Sequence, residues 1–171
     1  MSVTLETRLT SELAWNWQDA ASGATTRTQG NFRKQLAFSA AGTPPVDGIW
    51  YVENASIAAF SSVTHDLTNL TQAIYGASVP VSFASLCTLY VFNRSETLPL
   101  VIANTGSSTA SSILTSSFVN VIVPPGGFFA LCNPSSNWTI SSARNEIQLQ
   151  NAFSSAISYD LFLTGTKTSA E

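Results

Sequence analysis

The chain has 171 residues, 44% of them hydrophobic and only 10% charged. That length fits one domain whose core can form without a disulfide or a metal. Seven basic against ten acidic residues, a net charge of −3, leave too few cations to neutralise a phosphate backbone, so nucleic-acid binding is excluded as an expectation. Residues 67–143 carry just two charges, Arg94 and Glu96; polarity comes instead from 25 Ser, 19 Thr and 11 Asn. A surface this neutral repels copies of itself weakly, and charge depletion marks the cores of subunit interfaces. A neutral, Ser/Thr-rich β protein is the plainer reading of the same composition. No apolar run reaches the roughly 18 residues of a membrane span. The opening residues lack the uninterrupted apolar stretch of a signal peptide.

Val, Ile and Thr are abundant while Lys and Glu are scarce, which favours strands over helices. VTLETRLTSELAWNW alternates like a strand, with Trp15 and Trp17 on one side. DAASGATTRTQG reads as an open linker, and GNFRKQLAFSAAG as a strand. The chain therefore divides into an extended N-terminal arm or linker, residues 1–30, and a β-sandwich domain, residues 31–171. GIWYVENA and ASIAAFSSVTHDL follow as strands. The spacing of Leu67, Leu70 and Ile74 suits one short helix between residues 67 and 77. VSFASLCTLYVF is apolar on both faces and reads as a central strand buried on both sides. NRSET is a turn, LPLVIAN a strand, and residues 105–117 a loop of small residues.

In FVNVIV, Val119, Val121 and Val123 share a face; Pro125 and Gly126 then fit a type II turn, because proline fixes φ and glycine accepts φ > 0. FFALC is expected to return as its hairpin partner. NEIQLQNA sets Ile147 and Leu149 against Glu146, Gln148 and Gln150; SYDLFLTG sets Tyr159, Leu161 and Leu163 against Asp160, Phe162 and Thr164. These two segments read as a second hairpin with one buried face. Nine or ten short strands with regular turns imply an all-β, two-sheet sandwich of jelly-roll type.

Little in the chain points to catalysis. The one histidine, His65, precedes Asp66, which on a strand points the other way, so no Ser-His-Asp relay is legible. The ten carboxylates are scattered singly, which gives no glycosidase pair. Phosphate-binding and calcium-binding loop motifs are absent, and Cys87 and Cys132, 45 residues apart, form no zinc pattern. They read as two buried thiols, with a strand-to-strand disulfide as the alternative. No enzymatic activity, metal or cofactor is expected. Five aromatic residues remain as candidates for an interface: Trp15, Trp17, Trp50, Tyr51 and Trp138. Exposed, such rings anchor protein partners or stack on sugars; buried, they are sandwich core.

The order VPPGGFFAL (residues 123–131), Pro134, Trp138, NEIQLQNA and YDLFLTG ending at Gly165 resembles a group of small structural proteins of tailed phages. These share a PGG hairpin, a proline-then-aromatic step, a strand ending in Asn and a final YD-hydrophobic-G strand. The section SIAAFSSVTHDLTNLTQAIYGASVPVSFASLCTLYVFN resembles their strand, DLT, short helix, SFA and long strand. The likeness spans residues 48–165. It departs at Glu146, where many relatives have Asp, and at Asn137, where they often have Gly. It implies a non-enzymatic virion protein made in the host cytoplasm. This would be a capsid cement or decoration protein, a homotrimer whose partners are itself and the major capsid protein. The alternative is a receptor- or glycan-binding module of a phage tail or fibre.

Overall fold

The computed structural model describes residues 6–19, 26–43, 45–74, 76–103, 120–142 and 144–168. Every regular element among them is a strand. In chain order these are β1 (Glu6–Asp19), β2 (Thr26–Ser39), β3 (Gly48–Ile57), β4 (Ser61–Asp66), β5 (Leu70–Ile74), β6 (Ala77–Val81) and β7 (Phe83–Asn93). Then come β8 (Leu100–Ala103), β9 (Asn120–Val123), β10 (Phe128–Cys132), β11 (Trp138–Thr139), β12 (Glu146–Asn151) and β13 (Ile157–Lys167). The expected small-residue loop at 105–117 lies outside the described residues.

Two antiparallel sheets carry the core. The five-stranded sheet runs β10-β7-β13-β3, with β11 also paired to β7; the four-stranded sheet runs β4-β12-β8-β9. One apolar cluster joins them: Leu89, Val91, Leu161 and Leu163 from the first sheet, Leu100, Ile102, Ile147 and Leu149 from the second. The alternation seen in the sequence is the cause, since every second side chain of each strand faces inward and loses its water. β7 is interior to its sheet, as expected of VSFASLCTLYVF, but the expected burial on both sides is corrected: Tyr90 and Phe92 on its outer face are only half-buried, because among the described residues no second layer of the sandwich lies on that side.

Both expected hairpins are corrected. Gly126 has φ 63° and the Gly127 N–H donates to Pro124 O at 2.9 Å, so the predicted turn forms. Yet β9 before it pairs with β8, and β10 after it pairs with β7 in the other sheet. The same holds at the C-terminus, where β12 pairs with β4 and β8 while β13 pairs with β3 and β7. Each connection is an arch between sheets. An apolar face can be buried across the sandwich as well as beside a neighbour, and alternation does not distinguish the two.

Two asparagines clip these arches. Asn93, ending β7 and 0% exposed, donates its Nδ2 to Leu98 O, Val123 O and Pro124 O at 2.8–3.2 Å and accepts the Ser95 N–H at Oδ1. Asn151, ending β12 and also fully buried, does the same for Ile57 O, Ala58 O and Ser155 O, and accepts the Phe153 N–H. Each satisfies carbonyls that leave one sheet before joining the other.

The expected helix at 67–77 is also corrected. Asp66 Oδ1 accepts from Thr68 N, Thr68 Oγ1 and Asn145 Nδ2 and forms a turn. β5 and β6 then pair across Gly76, at φ 80°. Leu70 and Gln72 are buried while Thr71 and Ala73 are exposed, a period of two that overrides the helical spacing. The small sheet is fastened to β3: Trp50 Nε1 donates to Thr71 O at 2.9 Å, and the Tyr51 N–H donates to Gln72 Oε1 at 3.0 Å.

β1 and β2 form a ribbon of their own, in register from Glu6↔Ser39 to Asp19↔Thr26. The stretch read as an open linker is therefore strand from Thr26 onward, and the expected boundary at residue 30 lies inside β2.

Candidate functional site

The outer face of the five-stranded sheet carries aromatic side chains where a solvated sheet carries polar ones. The register aligns Tyr51, Phe162, Tyr90 and Ala130 across β3, β13, β7 and β10. The next row holds Asp160, Phe92 and Phe128. Tyr51 is 42% exposed and Phe128 65%, with Tyr90, Phe92 and Phe162 half-buried. The Tyr90 and Phe128 rings stack with centroids 5.7 Å apart.

A β-bulge shapes one edge of this face. Tyr159 pairs with Ala55 and Leu161 with Val52, so Glu53 and Asn54 together oppose Asp160. Asn54 sits at φ 51°, and its N–H donates to Asp160 Oδ1 at 2.7 Å. Bulges re-aim side chains and are common beside functional sites. Here the bulge borders a groove of about 330 Å³ lined by Ile49, Tyr51, Glu53, Tyr90, Asp160 and Phe162.

The groove's electrostatics are mostly compensated. Arg94 Nε donates to Asp160 Oδ1 at 2.6 Å, and the guanidinium lies 6.0 Å from the Phe92 ring centroid. Burial pushes the Asp160 carboxyl up, but the Arg94 and Asn54 hydrogen bonds outweigh it and hold it below the ordinary carboxylate value. Asp160 and the Glu53 charge raise Arg94 in turn. Such a face has the chemistry to stack on a flat or apolar surface and offers one compensated ion pair and Glu53. It presents no nucleophile paired with a base.

Of the expected interface residues whose side chains are described, the structure brings Tyr51 alone to this face. Trp50 points into the core at 6% exposure, and Trp138, paired opposite Leu86, is half-buried against the same core. Trp15 and Trp17 occupy positions opposite Gly30 and Thr28 in the ribbon; their side chains lie outside the described residues. Sequence reading missed Tyr90, Phe92, Phe128 and Phe162. Phe162 gave the available signal, an aromatic on the face assigned to Asp160 and Thr164.

His65 lies between the sheets. Its Nε2 shares a 2.9 Å hydrogen bond with the Tyr159 hydroxyl, and its ring lies 5.1 Å from that of Trp50. Burial lowers the imidazole to about 4 and raises the Tyr159 phenol to about 12. Both cysteines are free, with the Cys87 thiol pushed up to about 11 by burial and by neighbouring Cys132. Among the described residues no three His, Cys, Asp or Glu side chains gather as metal ligands.

No protein-family model matches the chain, and no curated protein matches it.

Proposed function

We propose that this chain is a non-enzymatic virion structural protein of tailed phages, a capsid cement or decoration protein of jelly-roll topology that works as a homotrimer. The observation that carries the reading is the aromatic outer face on a rigid, interior-paired sheet. Contiguous exposed apolar surface of this kind marks a site of macromolecular contact. The paired strand orders β3-β13-β7-β10 and β4-β12-β8-β9, joined by arches, support the jelly-roll assignment. The motif order in residues 123–165 supports the phage assignment. A neutral surface fits a lattice protein held by shape and apolar contact, with weak salt dependence.

The test is addition of purified chain to bare capsid shells, followed by sedimentation and a heat challenge. Saturable binding at lattice sites, with shells surviving a higher temperature, is the expected result. Shells that neither bind the chain nor gain stability overturn the reading.

The groove beside Tyr51 favours a second reading, a receptor- or glycan-binding module, because tyrosine faces beside a carboxylate suit a sugar ring. Glycan-array hits lost in Tyr51→Ala, with no shell binding, would select it.

A further inference from the structure

We propose that the β1–β2 ribbon of one copy covers the aromatic outer face of the five-stranded sheet of a second copy. This rests on the structural-protein reading and names the contact that would build its oligomer.

The receiving face leaves Tyr51 and Phe128 exposed. The ribbon strands pair only with each other, over 14 residues each, a span of roughly 45 Å. A lone two-stranded ribbon is marginal in water and needs something to pack against. Its register says which side. Positions 9, 13, 15 and 17 of β1 share a face with 36, 32, 30 and 28 of β2, and 7 with 38. The sequence places Leu9, Leu13, Trp15, Trp17, Phe32, Leu36 and Phe38 at these positions. The opposite face carries Glu6, Arg8, Glu12, Arg27 and Arg33, with Arg33 Nε 4.0 Å from Glu12.

The two surfaces complement each other. The receiving face is aromatic and bordered by Glu53, while the cation on the ribbon's apolar face is exposed Lys34. The Val46 N–H and the Gly42 N–H both donate to Ser39 O at 3.0 Å, so a hydrogen-bonded turn joins the ribbon to the segment before β3. Different patches meet in this contact, so it is heterologous, and it closes into a ring when the rotation allows, as in a trimer.

Complementation tests it in the full-length chain. The ribbon variant is Trp15→Ser with Trp17→Ser; the face variant is Tyr90→Ser with Phe128→Ser. Near-ultraviolet circular dichroism checks that each stays folded. By light scattering the unaltered chain is expected near three times 18.2 kDa, and each variant alone at 18.2 kDa. An equimolar mixture regains one intact contact and forms a pair of twice that mass. Lys34→Glu is expected to weaken association about five- to tenfold, and adding Glu53→Lys restores it. A monomeric unaltered chain, a variant that keeps the full mass, or a mixture that stays monomeric overturns the proposal. A monomeric chain that still binds shells would sink this contact and leave the structural-protein reading standing. A glycan that binds the face of the unaltered oligomer also counts against it.

Discussion

The two sheets of the sandwich are alike on the inside and unlike on the outside. Both turn Leu, Ile and Val inward, and Leu161 and Leu149 are each fully buried. On the outside of the four-stranded sheet, Ser62, Gln150, Val101 and Ile122 form one row, and Thr64, Gln148, Ala103 and Asn120 the next. On the outside of the five-stranded sheet the corresponding rows hold Tyr51, Phe162, Tyr90 and Ala130, then Asp160, Phe92 and Phe128. One outer face is mostly Ser, Thr, Gln and Asn; the other is a platform of rings. Folding alone requires only the inner faces, and the proposed contact rests on this difference between the outer ones.

The inner equivalence can be broken by truncation. Leu161→Ala and Leu149→Ala should each cost about 3–5 kcal/mol in urea unfolding, through lost burial and the cavity left behind. A cost under about 1 kcal/mol for either would mean that its sheet contributes no rigid core.

Acid should act on the inside before it acts on the outside. The fold holds His65 down at about 4, while in the unfolded chain it titrates near 6.5. The fold thus favours the neutral imidazole. Stability is complete above about pH 6.5 and falls as pH drops toward about 4, because the unfolded chain takes up a proton the fold resists. The loss reaches at most about 3 kcal/mol, discounted for partial exposure. Asp66 and Asp160 are both held below the ordinary carboxylate value, so their contributions are lost only below about pH 4. Unfolding measured between pH 7 and 5 should slope in the unaltered chain and run flat in His65→Asn. A slope kept by that variant would place the titrating group elsewhere.

Between the sheets, Asn93→Ala and Asn151→Ala should each cost about 2–3 kcal/mol by leaving carbonyls at the arches unpaired. Equal losses would fit the equal hydrogen-bond sets. A loss at one site alone would show that water replaces the other.

The smallest effects on stability, and the sharpest contrast, lie outside. Phe128→Ser and Ile122→Ser, at 65% and 67% exposure, should each change monomer stability by under about 0.5 kcal/mol. Phe128→Ser should lower the mass seen by light scattering, and Ile122→Ser should not. If both lower it, the two outer faces do not differ in role.

The sequence alone determined that this is an all-β chain, where most strands lie, the inward faces marked by Val121 and Val123, by Ile147 and Leu149, and by Tyr159, Leu161 and Leu163, and that Pro125-Gly126 turns. Each of these depends on neighbours within a few positions, through alternation or a local φ preference. Only the tertiary structure decided that the strands flanking Pro125-Gly126, and those flanking residues 152–156, belong to opposite sheets. A strand's periodicity defines a face but does not choose a hydrogen-bonding partner. Leu70 and Ile74 satisfied a helical spacing until Gly76 and the pairing with β6 made them a strand. The aromatic face was hidden for the same reason: Tyr51, Tyr90, Phe128 and Phe162 are scattered along the chain and become neighbours only through the register of four strands.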